Sequence, residues 1–278
     1  MTYKEILAPV LTLEDDEPAL NTAADLARRF QARAVALHVA VHVGSAFAEQ
    51  QALSAVLEDI AKGLRNKAAV ERERIAKWIE KSPHEFILRG VTIENAVNED
   101  EIVAHARVAD LIVIARAERY DSARRALLED VLFKSGRPVF LIPPGFEPTP
   151  REARRVLVAW NASAEATHAI VAALPLLREA AQVIVATVDA KPSRAGHAER
   201  PGNDIAAYLA RHGVQVEVHN IDSVGRSEAK SLLDDAVAFD ADLIVMGAYG
   251  HSRAREFLFG GVTRELLESS TIPLLLAH

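Results

Sequence analysis

Ala241-Asp242-Leu243-Ile244-Val245-Met246-Gly247-Ala248-Tyr249-Gly250-His251-Ser252-Arg253-Ala254-Arg255-Glu256-Phe257-Leu258-Phe259-Gly260-Gly261-Val262-Thr263 is the stretch from which the rest of the chain can be placed. Its opening residues form an apolar run with the pattern of a strand buried on both faces. Residues 262–270 read as a helix, with Glu265 and Leu266 among good helix formers and no proline until Pro273. The glycines therefore fall in a long loop between a buried strand and a helix N-terminus. Glycine lacks Cβ, so backbone there can come close to a ligand. The free N–H groups and positive end of the helix favour an anion. Strand, glycine-rich loop and helix together make a phosphate-binding arrangement. The spacing fits neither Gly-x-Gly-x-x-Gly nor Gly-x-x-x-x-Gly-Lys-Ser/Thr, which excludes the two best-known phosphate loops.

The strand that opens this stretch has a twin. Ala109-Asp110-Leu111-Ile112-Val113 recurs unchanged as Ala241-Asp242-Leu243-Ile244-Val245. Ile6-Leu7-Ala8-Pro9-Val10 pairs with Val156-Leu157-Val158-Ala159-Trp160, and Pro138-Val139-Phe140-Leu141-Ile142 with Pro273-Leu274-Leu275-Leu276. Between the halves lies Pro143-Pro144-Gly145-Phe146-Glu147-Pro148-Thr149-Pro150, which can neither continue a helix nor sit in a central strand. The chain is a tandem duplication, expected to divide into domains 1–145 and 146–278.

Each half reads β-α-β-α-β-α-β-α-β. Strands are expected near 5–10, 34–41, 85–91, 111–115 and 138–142, then near 155–160, 183–188, 215–220, 243–246 and 272–277. Helical spacing marks 18–33, 45–80 as one helix or as two divided at Gly63, 164–177 and 227–239. Pro175 lies close enough to its helix end to be tolerated. Alternating strands and helices imply an α/β fold of two doubly wound parallel sheets covered on both faces. Ligands bind such sheets outside the carboxyl ends of the strands, where strand order reverses.

The halves are unequal. From Leu111 to Pro138 is 27 positions, against 30 from Leu243 to Pro273. The first loop, Ala115-Arg116-Ala117-Glu118-Arg119-Tyr120-Asp121, has no glycine, and Glu118 would repel phosphate. The first half is expected to have lost its phosphate site. Its acidic run Glu14-Asp15-Asp16-Glu17 reads as a solvated, capped stretch preceding a helix.

Composition narrows the function. Of 278 residues, 50% are hydrophobic and 26% charged, and the formal charge is −7, which argues against a general nucleic-acid binder. Zero cysteines exclude disulfides, thiol catalysis and cysteine-based metal sites. His38 and His42 are four apart on a strand, about 13 Å and too far to share a metal, and no metal centre or catalytic residue is assigned. No apolar run approaches a membrane span and no signal peptide is apparent, so a cytoplasmic protein without membrane or nucleic-acid partners is expected.

Gly247-x2-Gly250-x9-Gly260, followed by Gly261-Val262-Thr263, resembles the nucleotide loop of the universal stress protein (UspA) family, Gly-x2-Gly-x9-Gly-Ser/Thr. The departure is Gly261, where ATP-binding members carry Ser or Thr; Thr263 offers a hydroxyl two residues on. The resemblance implies five-stranded sheets of order 3-2-1-4-5. It implies ATP or another adenine nucleotide, with or without Mg, held by the second domain. Phosphates would lie on Gly247, Gly250, Gly260 and the N–H groups leading through Gly261 and Val262 into Thr263. Met246, His251, Ser252 and Arg253 flank them, and His251, Arg253 and Arg255 either pair with phosphate oxygens or stand as plain surface charge. Ser252 in Gly250-His251-Ser252-Arg253-Ala254 does not make a nucleophile elbow, because the last glycine is missing. Asn161 stands where ATP-binding members usually carry Asp; it either contacts the nucleoside or caps the following helix, a task open equally to Ser163. Ala159 and Val188 would line the adenine pocket. The family also implies pairing of the domains through their fifth strands, 138–142 against 272–277, and leaves room for a homodimer. The function expected is a nucleotide-binding, regulatory module of the stress response. The alternatives are an interaction protein with a vestigial loop, and a slow ATPase.

Overall fold

The computed structural model of the protein describes residues 2–42, 51–94, 99–116, 122–146, 154–192, 200–248 and 261–278. Two compact units divide between Arg137 and Pro138.

In the N-terminal unit, β1 (Glu5–Val10), α1 (Leu13–Phe30), β2 (Arg33–His42), α2 (Gln51–Lys81), β3 (Phe86–Glu94), α3 (Glu99–Arg107), β4 (Leu111–Ala115) and α4 (Ser122–Lys134) alternate. The strands run parallel in the order β3-β2-β1-β4. In the C-terminal unit, β5 (Val139–Ile142) is followed by β6 (Arg155–Ala159), α5 (Ala164–Arg178), β7 (Gln182–Val188), α6 (Asn203–Arg211), β8 (Val216–Ile221), α7 (Glu228–Ala238), β9 (Leu243–Gly247), α8 (Gly261–Ser269) and β10 (Leu274–Ala277). Parallel pairing there gives β8-β7-β6-β9-β10, which is the order 3-2-1-4-5. Within this unit β5 lies antiparallel to β10, Leu141 opposite Leu274 and Val139 opposite Leu276.

The repeated Ala-Asp-Leu-Ile-Val has a hydrogen-bonding reason. Asp110 Oδ2 accepts from the amides of Lys4 and Glu5, at 2.7 and 3.0 Å, and Asp242 Oδ2 accepts from the amide of Arg155 at 2.9 Å. The same aspartate thus fixes the start of the neighbouring first strand in both units. Behind it the apolar residues fill the core: Leu111, Ile112 and Val113 in one unit, Ile244 and Val245 in the other, are completely buried. Central strands buried along their length, with helices on either side, account for apolar runs that do not alternate.

Two helices are settled by the structure where the sequence pattern was incomplete or open. α1 begins at Leu13 rather than at Pro18, so the acidic run lies inside the first turns and Pro18 is within the helix. Pro18 cannot donate to the Glu14 carbonyl, but the carboxylates at the positive helix end and the anchoring of Asp16 described below hold the extra turn. α2 passes through Gly63 unbroken; a side chain there would meet nothing, and the cost of about 1 kcal/mol against alanine is absorbed by a 31-residue helix. No helix among the described residues is long and apolar enough to cross a membrane.

Candidate functional site

The reversal of strand order in the C-terminal unit falls between β6 and β9, with Ala159 opposite Ala186 on one side and Met246 on the other. This register gathers the carboxyl ends of β6, β7 and β9, and the glycine-bearing segment leaves from β9. Of the expected site residues, Ala159, Asn161, Val188, Met246, Gly247, Gly261, Val262 and Thr263 are described. Gly250, His251, Ser252, Arg253 and Gly260 lie outside the described residues, as does Arg255.

After β6, the amide of Trp160 still donates to Ala186 at 2.8 Å, and the chain then turns sharply. Asn161 Oδ1 accepts from the amide of Ser163 at 3.1 Å, Ala162 takes a positive φ of 59°, and Ser163 Oγ accepts from the amide of Ala166 at 3.1 Å. Ser163 is therefore the N-cap of α5, and Asn161 closes the turn that leads to it. The Asn161 side chain is exposed, and its NH2 group makes no hydrogen bond among the described residues.

Gly247 ends β9 for a reason that is visible in the backbone. A Cβ at this position would stand 2.4 Å from the Ala166 amide nitrogen and 2.6 Å from the Glu165 carbonyl carbon. The missing side chain lets the first turn of α5 lie directly against the end of β9, which brings the positive end of that helix to the crevice. Ala248 then donates its amide to the Ala277 carbonyl at 2.8 Å, and its own carbonyl lies 3.0 Å from His278 Nδ1. On the far side of the loop, Gly261 is the exposed first residue of α8, where a Cβ would meet nothing, so no steric demand excludes Ser or Thr. Val262 is half-buried and Thr263 buried. Ser227 caps α7 and donates to Glu265 at 2.7 Å, tying α7 to α8.

Sequence reasoning missed Asp189. It follows Val188 with φ 47°, and its Oδ1 accepts from the Ser223 amide at 3.0 Å. Hydrogen bonds from the Ser223 side chain and amide hold its carboxyl below the ordinary range. Only its place at a strand end could have marked it in advance.

The N-terminal unit carries a buried ion pair near the corresponding edge. β1 and β4 are adjacent, and Arg124 of α4, the helix after β4, reaches the first turns of α1, the helix after β1. Its guanidinium contacts both oxygens of Asp16, at 2.5 and 3.2 Å, and also Asp15 Oδ2 at 2.9 Å and Thr12 Oγ1 at 3.2 Å. Asp16 Oδ2 accepts the amides of Leu11 and Thr12 at 2.8 and 3.1 Å. An internal carboxylate thus occupies amides and a cation that an external anion would otherwise use. The side chains of Arg124 and Asp16 are 4% and 1% exposed, so the expectation of a solvated acidic run fails at Asp16. Burial pushes the Asp16 carboxyl above the ordinary range, against the pull of Arg124 and the two amides. Glu118 lies outside the described residues.

No curated protein matches the chain significantly. Among solved structures, it is similar to a universal stress protein from Archaeoglobus fulgidus DSM 4304, with a TM-score of 0.69 and 17% identity over 98% of this chain and 97% of that one. It is also similar to a functionally unknown protein from Pseudomonas aeruginosa PAO1, with a TM-score of 0.55 and 16% identity over 99% and 92%. A universal stress protein in complex with cAMP aligns over 46% of this chain and 99% of its own, with a TM-score of 0.35 and 19% identity. The first two likenesses speak to the fold alone. The model of the universal stress protein family matches twice, over residues 2–135 and 152–278, one copy for each half of the duplication. The chain belongs to the universal stress protein family.

Proposed function

We propose that the second domain, residues 146–278, binds an adenine nucleotide and acts as a regulatory, non-catalytic module of the stress response. The observation that carries this reading is the contrast between the two crevices. In the N-terminal unit Asp16 and Arg124 satisfy each other, whereas in the C-terminal unit the corresponding edge carries a capped helix N-terminus drawn in by Gly247 and the exposed amide of Asn161. Phosphate would lie against the loop between Gly247 and Thr263, with or without Mg, and the base toward Ala159 and Val188. Fifth-strand pairing of the two domains, 1–145 and 146–278, is part of the same proposal and is supported by the antiparallel register of β5 and β10. A cytoplasmic location and a homodimer complete it.

A second reading, an interaction protein with a vestigial loop, is favoured by Gly261, which replaces a hydroxyl side chain although nothing crowds the position. Calorimetric titration of ligand-stripped protein with ATP, ADP and AMP, with and without Mg, separates the two. Micromolar binding of about one nucleotide per chain, lost in Gly250→Asp, supports the first reading. A well-folded protein that is silent toward all three refutes it and leaves the second; turnover of bound ATP would instead mark a slow ATPase.

A further inference from the structure

Five described residues other than glycine have positive φ: Gln31, Ala162, Asp189, Val224 and Asp240. Gln31 and Asp240 follow helix ends, an ordinary place for this conformation. The other three sit one on each loop after β6, β7 and β8, all at the carboxyl edge of the C-terminal sheet. Ala162 and Asp189 have local reasons given above. Val224 has none. It is β-branched, φ is 51°, and it is 84% exposed, so neither its backbone nor its side chain gains from the arrangement. Asparagine or glycine would adopt this turn more readily, and Gly225 beside it already does so with φ 80°.

The loop that carries Val224 is held from several sides. Ser223 donates its amide to Asp189, and both the amide and Nε of Arg226 donate to the Ser223 carbonyl, at 3.1 and 3.0 Å. Arg226 is in turn paired with Asp234 at 2.8 Å, and Ser227 caps α7. A strained residue persists where its surroundings over-determine it. The anchor also fixes position: Asp189 follows Val188, and its amide donates to the Ile221 carbonyl at 2.9 Å. Val224 thus projects from a loop fastened to the end of β7.

Across the sheet order β8-β7-β6-β9, Val224 stands on the loop after β8, Val188 ends β7, Ala159 ends β6, and the glycine loop leaves from β9. Three strand spacings separate these ends, about 14 Å. A lone phosphate cannot reach both; a ligand with an anionic tail and a flat apolar ring can. We infer that Val224 forms the outer apolar wall of the base subsite, packing on the heteroaromatic ring of the bound nucleotide. This rests on the nucleotide reading of the C-terminal crevice.

The test is Val224→Gly, with Val224→Asn beside it, since both residues accept positive φ and keep the loop. ATP and inorganic tripolyphosphate are titrated into each protein by calorimetry, and thermal unfolding is followed without ligand. The expected result is an unchanged or higher melting temperature, ATP binding weakened about five- to tenfold, and unchanged tripolyphosphate binding. Wild-type ATP affinity in both variants overturns the assignment while leaving the nucleotide site standing. Equal weakening of ATP and tripolyphosphate also overturns it, because the loop would then act on the phosphates. Failure of the wild type to bind either ligand overturns the nucleotide reading and this assignment together.

Discussion

Replacing Asp16 by asparagine should unfold the N-terminal unit more readily than any other single change in its acidic run. The side chains of Asp16 and Arg124 are almost completely buried, and the carboxylate also accepts two backbone amides. Removing one member of such a pair costs about 3–5 kcal/mol, because the remaining charge is left without its partner in a poorly solvated site. Asp15 remains 2.9 Å from the guanidinium, and the amide oxygen of the variant keeps one acceptor, so the lower end, about 3 kcal/mol, is expected. Asp15 itself, with 47% of its side chain exposed, should matter by no more than about 1 kcal/mol when changed to asparagine. In the double variant Asp16→Asn/Arg124→Met the losses should not add, with a coupling of about 2 kcal/mol. The assay is urea unfolding followed by tryptophan fluorescence in a Trp160→Phe background. Trp78 is then the one tryptophan left of two, and its indole N–H donates to Glu17 of the same acidic run at 3.0 Å. A cost below about 1 kcal/mol for Asp16→Asn would refute the reasoning, since that is the behaviour of a surface pair.

Two further outcomes follow from the same kind of contact. Gly247→Ala sets a methyl group 2.4 Å from backbone that cannot rotate aside, and should destabilise the C-terminal unit by about 1–3 kcal/mol in the absence of any ligand. Trp160 fluorescence in a Trp78→Phe background would report it, and unchanged stability would mean that the glycine serves something other than packing. His38 is buried in β2, and burial, helped by Arg72 and opposed by Glu71, lowers its pKa from 6.5. Its neutral form is favoured in the folded chain, so its contribution is complete above about pH 6.5. It declines as pH falls from there toward the folded pKa, by about 1.4 kcal/mol for each unit of depression. His38→Gln should flatten that part of the stability profile measured by denaturant titration between pH 7 and 4, and an unaltered slope would remove His38 as its source.

The duplication was legible because a buried parallel strand leaves a continuous apolar run and because its aspartate has a fixed partner in both units. What could not be seen depends on residues distant in sequence. From sequence alone Asp16 reads as surface charge because its partner stands 108 positions away, and without that partner the helical spacing starts at Pro18. Gly247 has a packing reason that the sequence does not display: the side chain it lacks would strike the first turn of α5, more than 80 residues upstream. The Asn161 and Ser163 alternatives were both sound as chemistry; only the geometry gives the cap to Ser163 and the preceding turn to Asn161. Val224 carries no sequence signal at all, since nothing in a Val-Gly pair announces a positive φ at valine.

These residues bear on why a duplicated chain keeps two units and one glycine loop. A crevice at the carboxyl ends of parallel strands collects unpaired amides and helix N-termini, and those groups require a partner whether or not a ligand is available. The N-terminal unit answers with a carboxylate from its own first helix and an arginine from its fourth, an arrangement available at all times and independent of ligand concentration. A unit whose crevice is completed by a ligand is different: its stability rises with ligand concentration as RT ln(1 + [L]/Kd), about 2.7 kcal/mol at one hundred times Kd. On the proposed function, then, nucleotide should raise the unfolding midpoint reported by Trp160 and leave that reported by Trp78 in place. On that same proposal, the internal Asp16–Arg124 pair would leave the stability of the first unit independent of nucleotide level while that of the second unit followed it.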